Sequence, residues 1–364
     1  MTRVLGETAW SFFWTARPLI SDIQISMTAR ATQLKVAYER KASGSLNNCA
    51  CKPTDESKRS SALSIDGSSS RRQIIPAAVG AGLFGSICDA WEVPITDVGP
   101  EGDDRGKGGR YLLIPPGYKG NVPEGYFPIQ TATYNGYALF RAIPATSSAS
   151  DLDNAISLVK KMRLYSLAQA ENPPASHYID IVGKLFDGIP AFDDTFYDRL
   201  AKMVDEEPVQ TRDLVAMAQL RSLGIEKDKA FNPDQATRDS LKTAAAEAQA
   251  GFMQASANVE PWWPDTRWGL PAGAGPKTAF TFLADDRYEI DDRGQTFFLA
   301  YAVPKKLGAA TVYVGAFVDA KDAPLQGDKI YRLQIPANVP AKQYWAVLPS
   351  TPLKPQRSFA KRRR

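Results

Sequence analysis

The amino-acid sequence predicts a multidomain α+β protein, and the order of its local patterns carries this prediction. Short apolar runs bounded by glycine and proline fill residues 74–149, which is typical of β-strands. A helical period follows over residues 150–257, and strand-like runs return after residue 258. Because strands and helices come in separate blocks, separate β and α domains are favoured over alternating βαβ units.

The first block contains a predicted buried strand, a glycine-rich loop and a predicted hairpin. RYLLI at residues 110–114 is followed by two prolines and a glycine, which end a buried strand. YFPIQTATY and YALFRAI flank Asn135–Gly136, a dipeptide that favours a tight β-hairpin turn. The loop of residues 99–109 holds five glycines, but it lacks GxxxxGK[ST] and a following helical pattern. A phosphate-binding loop is therefore not predicted there.

The second block predicts four helices, each with a polar residue that can accept hydrogen bonds at its N-terminus. Ser150 is the predicted N-cap of the first helix, with Asp153 at the capping-box position. The predicted N-caps of the other three helices are Asp193, Thr211 and Asn232, the last followed by Pro233. Gly224 is predicted to end the third helix as a C′ glycine. The apolar faces of these helices favour core packing.

The third block begins with an aromatic, proline-rich segment, residues 258–283, which is typical of a chain that wraps over a neighbouring domain. Strands are predicted at residues 295–303, 310–320 and 328–336. Residues 1–73 show no sustained period and are interpreted as a divergent or disordered segment, and residues 348–364 as a basic tail.

Charge is distributed unevenly along the chain. The formal net charge is +4, but residues 76–353 carry 27 basic and 34 acidic groups, a net of −7. An acidic body disfavours a nucleic-acid groove, because phosphate neutralisation dominates that affinity. The C-terminal KRRR could bind anions as a loose tail. The sequence contains no run of eighteen apolar residues, so no transmembrane helix is predicted. Its first residues do not form a clear signal peptide.

Few residues are available for a metal site or a nucleophilic triad. The cysteines are Cys49, Cys51 and Cys88, and His177 is the one histidine. Cys-x-Cys is not the usual zinc spacing, so no metal site and no cofactor are predicted. A Ser-His-Asp triad would have to use His177, for which a surface or capping role is favoured.

Six long motifs stand out along residues 74–347 of the chain. They are DAWEVPITDVGPEG (89–102), DRGKGGRYLLIPPGYKGNVPEGY (104–126), LYSLAQAENPP (164–174), LRSLGIEKDKAFNPD (220–234), DDRGQTFFLAYAV (291–303) and LQGDKIYRLQIPANVPAKQYW (325–345). In sequence, order and spacing they resemble one bacterial family, in which domain of unknown function 1254 is paired with domain of unknown function 1214.

The resemblance implies a β-sandwich-like N-terminal domain, a helical middle domain and a jelly-roll-like C-terminal β domain. On this chain they correspond to residues 74–149, 150–257 and 258–347, the last being incomplete. It also implies a periplasmic, secreted or envelope-associated location; a cytoplasmic one stays open. The tail after Val347 fits nothing in the family, so one hypothesis is that the chain is a frame-disrupted, non-functional fragment of a longer member.

The predicted function is binding of a small molecule or glycan between the β domains, with a hydrolase that uses acidic residues in the cleft as the alternative. Aromatic side chains near charged groups suit such ligands, although the same rings could simply pack domain interfaces. A homo-oligomer is compatible with this interpretation. The candidate ligand-binding residues are Trp91, Asp97, Lys107, Tyr126, Arg141, Trp268 and Tyr301, with Tyr118, Trp262 and Trp263 as further aromatic candidates.

Overall fold

A computed structural model describes two short segments near the N-terminus and most of the chain from residue 70 onward. The described residues are 24–27, 32–38, 70–146, 148–180, 191–256, 259–269, 280–299, 303–306, 314–326 and 329–335. Within them the mixed α+β content predicted from the sequence is confirmed. The strands are β1 (Gln24–Met27), β2 (Thr32–Tyr38), β3 (Arg71–Ile75), β4 (Ala81–Asp89), β5 (Pro94–Val98), β6 (Gly109–Ile114), β7 (Phe127–Gln130), β8 (Gly136–Pro144), β9 (Arg163–Ser166) and β10 (His177–Asp180).

The strands form two sheets. Sheet A has six strands in the order β10-β1-β2-β8-β4-β5, and sheet B has four in the order β7-β6-β3-β9. Neighbouring strands are antiparallel except for the parallel pairs β1–β10 and β6–β7. The apolar run predicted as a buried strand at residues 110–114 is confirmed as β6.

Alternate side chains of both sheets enclose the main core together with helix α1 (Ala149–Lys160). On β8 the core-facing residues are Ala138, Phe140 and Ala142, which follow the period of two expected of a strand. Complete burial of Phe140 stabilises the fold by about 2–3 kcal/mol. Helix α1 adds Leu158 and Val159 to the same core.

The predicted hairpin at Asn135–Gly136 is wrong. Strand β7 lies in sheet B beside β6, whereas β8 lies in sheet A between β2 and β4. Between them, Thr131 Oγ1 donates to the carbonyl of Thr133 at 2.8 Å, and Thr133 Oγ1 donates to that of Asn135 at 2.7 Å. These bonds fix a polar crossover between sheets in place of a two-residue turn.

The four predicted helices exist as α1 to α4, but most of their boundaries differ, and a fifth helix was not predicted. Helix α1 has Ser148 as its N-cap in place of the predicted Ser150. After α1 ends at Lys160, the chain reverses direction and forms β9. Helix α2 (Phe196–Glu206) begins after Thr195, whose amide donates to the Asp193 carboxylate at 2.9 Å. The others are α3 (Leu214–Ser222), preceded by the 3-10 turn Thr211–Asp213 and followed by Gly224 with φ 81°, α4 (Gln235–Ser256) and α5 (Ile290–Leu299).

The structure contradicts the strand predictions in two regions. Residues 295–299, predicted as the start of a strand, are helical in α5, whose first turn holds Asp291 and Asp292 near the positive helix end. The described parts of the other two predicted strands, residues 314–320 and 329–335, contain isolated bridges or no pairing. Conversely, β1 and β2 lie within residues 1–73, where no strand was predicted, because their alternating pattern spans only four and seven residues.

Candidate functional site

The richest group of polar side chains lies on the face of sheet A that points away from the main core. Because strand neighbours alternate between faces, Ser86, Cys88, Asp97, Tyr137 and Arg141 share this outer face. At its edge, the turn of residues 89–93 meets the end of α2 and one side of α5. We call this contact zone, formed by residues 89–97, Glu207, Arg293, Lys305 and Lys306, the seam.

Asp97 is a buried acceptor within the seam. Its carboxylate accepts hydrogen bonds from Ser86 Oγ at 2.8 Å and from the main-chain amides of Lys305 and Lys306 at 2.9 and 2.8 Å. Asp97 lies in β5, directly before the glycine-rich loop. Its position joins the segment that follows α5 to the edge strand of sheet A.

Asp89 organises the turn between β4 and β5. Its Oδ1 accepts from the amides of Trp91 and Val93, both at 2.9 Å. Glu92 occupies the turn with φ 65°, a conformation that non-glycine residues rarely adopt. Burial raises the pKa of Asp89, although the Val93 hydrogen bond and the positive charge of Arg212 oppose the rise.

Glu207, the residue after α2, holds the crossover between the sheets. Its Oε1 accepts from the main-chain and side-chain amides of Asn135 at 3.0 and 2.6 Å, and its Oε2 from the Tyr134 amide at 2.6 Å. Burial raises the pKa of Glu207, and the nearby charge of Asp89 adds to the rise. The sequence analysis missed this residue. An acid at a helix C-terminus opposes the helix dipole, and that mismatch was the available signal.

Trp91 and Arg293 contact each other across the seam. Arg293 Nη2 donates to the Trp91 carbonyl at 2.6 Å, and the Trp91 ring packs against Ala90 and Met203. Trp91 Nε1 and Arg293 Nη1 are both buried without a hydrogen-bond partner, although each residue as a whole is half-buried. Buried donors without acceptors are costly and rare, so this pair of atoms needs an explanation. Sequence analysis identified Trp91 but missed Arg293.

Cys88 and Tyr137 lie opposite each other on β4 and β8, both fully or nearly fully buried. Burial raises the pKa of the Cys88 thiol well above its ordinary value, and the charge of Asp89 raises it further. Burial likewise raises the pKa of Tyr137. Since the thiolate is the reactive form of cysteine, Cys88 is a packing residue and not a nucleophile.

The remaining candidate residues do not gather at one place. Lys107 is exposed in the glycine-rich loop, and Arg141 lies with its guanidinium 5.9 Å from the Phe84 ring centroid. Tyr126 immediately precedes β7, and its ring contacts Arg72 of sheet B. Trp268 is half-buried, and its carbonyl accepts from the Trp262 amide at 2.8 Å. Tyr301 lies outside the described residues. Of the six candidates that the structure describes, only Trp91 and Asp97 lie at the seam.

The glycine-rich loop is closed on itself. Asp104 accepts from the amides of Gly99 and Gly108 at 2.7 and 3.1 Å. A Cβ on Gly108 would lie 2.5 Å from the Ala77 nitrogen and 2.6 Å from the Ile75 oxygen, and its φ is +72°. The glycine is thus required by backbone packing and turn geometry.

Two kinds of feature are missing from the described residues. They contain no group of three or more His, Cys, Asp or Glu side chains that could hold a metal ion. None of the helices they form combines the length and apolar character that crossing a membrane requires.

Sequence comparison finds two family matches in the chain. Residues 74–166, from β3 to β9 and including most of the seam, match the family described as protein of unknown function DUF1254. Residues 310–354 match the family described as protein of unknown function DUF1214. The chain carries both families in this order. The pairing predicted from the motifs is therefore confirmed.

Among solved structures, the VPA0106 protein from Vibrio parahaemolyticus is similar, with a TM-score of 0.49 and 11% sequence identity. The similarity covers 79% of this chain and 61% of that protein, so the chain spans about three fifths of its solved relative's length. No curated protein matches the chain.

Proposed function

We propose that this protein binds a small ligand at the seam. The observation that carries the proposal is the pair of buried donors, Trp91 Nε1 and Arg293 Nη1, on two side chains that contact each other. A ligand oxygen placed between them would supply the missing acceptor. The half-buried Trp91 ring offers a flat apolar surface beside those donors.

The charges around the donors favour a neutral ligand rich in hydroxyl groups, such as a glycan. Asp89, Glu92, Asp97 and Glu207 are all buried at the seam, whereas its cations are half-buried (Arg293) or exposed to solvent (Lys305 and Lys306). An anionic ligand would be repelled by these carboxylates. Sugar hydroxyls can accept from the Trp91 and Arg293 donors without bringing a charge of their own.

The alternative, a hydrolase that uses acidic residues of the cleft, receives less support from the same geometry. General acid–base chemistry needs a carboxylate within reach of the substrate. The carboxylates of Asp89, Asp97 and Glu207 each accept hydrogen bonds from main-chain amides. Their arrangement fits groups that hold the seam together.

The proposal is tested by comparing ligand binding of the native chain and of Trp91→Phe. This variant loses the indole donor and keeps an aromatic ring. Titration calorimetry with neutral oligosaccharides is expected to show saturable binding to the native chain. The variant should weaken it by about tenfold, the scale of one buried hydrogen bond. Trp262→Phe is the matched control, because Trp262 is 47% exposed and lies outside the seam. Unchanged affinity in Trp91→Phe, or no binding of any neutral sugar, would refute the proposal.

We extend the proposal to domain organisation. Two packed sheets, formed by strands within residues 24–38 and 71–180, support a β-sandwich-like N-terminal domain that continues past the predicted limit at residue 150 to about residue 180. The second limit is proposed near residue 258. The jelly-roll-like form of the C-terminal β domain is supported by family resemblance alone. Limited proteolysis with mass mapping should cut first near the proposed limits; first cuts inside β4 or β8 would contradict them.

An exported, envelope-associated location, supported only by the family resemblance, completes the proposal, and a homo-oligomeric state is compatible with it. Cell fractionation of the native gene product tests the location, and recovery solely in the cytosolic fraction would rule out export. Light scattering coupled to size exclusion tests the oligomer, since a mass of 39.8 kDa at all concentrations would identify a monomer.

A further inference from the structure

The outer face of sheet B carries a second cluster of polar and aromatic side chains, separate from the seam. On β3, Gln73 and Ile75 face the main core, so Arg72 faces outward. Arg72 is paired with Tyr165 of β9 in the sheet, which places the two side chains on one face. Tyr126, immediately before β7, completes the cluster.

The arginine and tyrosine side chains are stacked. The Arg72 guanidinium carbon lies 4.4 Å from the centroid of the Tyr126 ring and 5.7 Å from that of Tyr165. The guanidinium carbon of Arg110, on β6, lies 6.0 Å from the same Tyr126 ring. Two cations therefore approach one tyrosine ring from neighbouring strands, at distances where cation–π attraction is effective.

Neither arginine has a carboxylate partner among the described residues. Arg72 Nε and Tyr126 Oη are both buried without a hydrogen-bond partner. Arg72 as a whole is half-buried and Arg110 is exposed, so the cluster reaches the surface. Two like charges and two unsatisfied donors are costly together, and one oxyanion would relieve both costs.

We propose that this cluster, formed by Arg72, Arg110 and Tyr126, is a binding site for the oxyanion group of a small ligand. A planar guanidinium can donate two parallel hydrogen bonds to a carboxylate, sulfate or phosphate. The Tyr126 hydroxyl would donate a further bond, and the exposed Arg110 would contribute charge at the rim. This site takes an anion, whereas the acidic seam on the other sheet favours a neutral ligand.

The test is titration calorimetry of the full chain with inorganic phosphate, sulfate and benzoate. At least one should bind saturably at a single site. Tighter phosphate or sulfate binding would indicate an ester of that acid, and tighter benzoate binding an aromatic carboxylate stacked on the tyrosine. Absence of saturable binding for all three probes would overturn the proposal.

Variants locate the site. Arg72→Gln should weaken binding by about tenfold or more, and Tyr126→Phe by a few fold, because charged hydrogen bonds are stronger than neutral ones. Arg221→Gln, an exposed arginine on α3, removes the same charge elsewhere and should leave affinity unchanged. Equal losses in Arg72→Gln and Arg221→Gln would show non-specific attraction only.

The exposed Arg110 keeps the test decisive if Arg72→Gln fails to fold. Arg110→Gln should weaken binding a few fold at an unchanged melting temperature, since the side chain is at the surface. Full affinity in Arg110→Gln would overturn the assignment of both arginines to one site. The Trp91→Phe variant should bind these anions normally, which separates this site from the seam.

Discussion

Asp97 accepts a hydrogen bond at 2.9 Å from the main-chain amide of Lys305, a residue 208 positions further along the chain. The carboxylate, 6% exposed, also binds Ser86 and Lys306. Asp97→Asn would replace one carboxylate oxygen by an NH₂ group that faces a donor. We expect a loss of about 3 kcal/mol in the free energy of unfolding, measured by urea denaturation.

Asp285→Asn is the control for this prediction, because Asp285 is exposed. Its free energy of unfolding should stay within about 0.5 kcal/mol of the native value. A similarly small effect for Asp97→Asn would mean that the contact between β5 and the segment after α5 contributes little to stability.

Glu207 should make stability depend on pH in the direction opposite to an ordinary salt-bridged acid. Burial raises the pKa of Glu207 above its ordinary value of 4.5, so the native state holds the proton more strongly than the unfolded state. Its stabilising contribution is therefore complete below pH 4.5 and is lost as pH rises through the raised pKa. Urea denaturation of the native protein and of Glu207→Gln should be measured from pH 4.5 upward. As pH rises, the free energy of unfolding should fall more for the native protein than for the variant. Parallel curves would contradict the assignment.

The N-terminus of α4 offers a direct test of which residue caps it. Asp234 accepts from the Thr237 amide at 2.8 Å, whereas the sequence predicted Asn232 as the N-cap. Asp234→Ala should lower the melting temperature, because the N-cap hydrogen bond is lost, and Asn232→Ala should leave it nearly unchanged. A larger loss in thermal stability for Asn232→Ala than for Asp234→Ala would instead support Asn232 as the N-cap.

Gly108 and Gly251 form a matched pair for backbone packing. Gly108→Ala would bring a Cβ to within 2.6 Å of backbone atoms at φ +72°, so we expect a loss of at least about 2 kcal/mol. Gly251 lies within α4, and a Cβ added to it would have no neighbouring atom within 4 Å. Gly251→Ala should therefore stabilise the protein by about 0.5–1 kcal/mol. Equal melting temperatures for the two variants would show that the loop rearranges.

Local patterns predicted the parts of the fold that depend on neighbours in sequence. The apolar run at β6 and the C′ glycine at Gly224 are confirmed, because burial and positive φ leave clear local signals. The Asn135–Gly136 hairpin failed because Glu207, which is 72 residues away, binds Asn135. The strand predicted over residues 295–303 failed in part because Phe297 packs against Phe282 from a helix.

The same limit applies to the seam. Trp91 and Asp97 stood out within one family motif, and both lie there. Arg293 meets Trp91 across 202 positions, and Glu207 meets Asn135 across 72. In the sequence, Arg293 stands just before a predicted strand, and Glu207 offers only its mismatch with the helix dipole as a signal. Only the tertiary fold brings them beside the β4–β5 turn.

The strand order of sheet A means that its first strands cannot complete their pairing until much of the chain has been synthesised. Strand β2 pairs along its whole length with β8, whose last residue is Pro144, and β1 pairs with β10, which ends at Asp180. Strands β1 and β2 can pair with each other early, but more than a hundred further residues must follow β2 before β8, and later β10, can cover their outer edges. During that interval their open edges are available to chaperones and to other nascent chains.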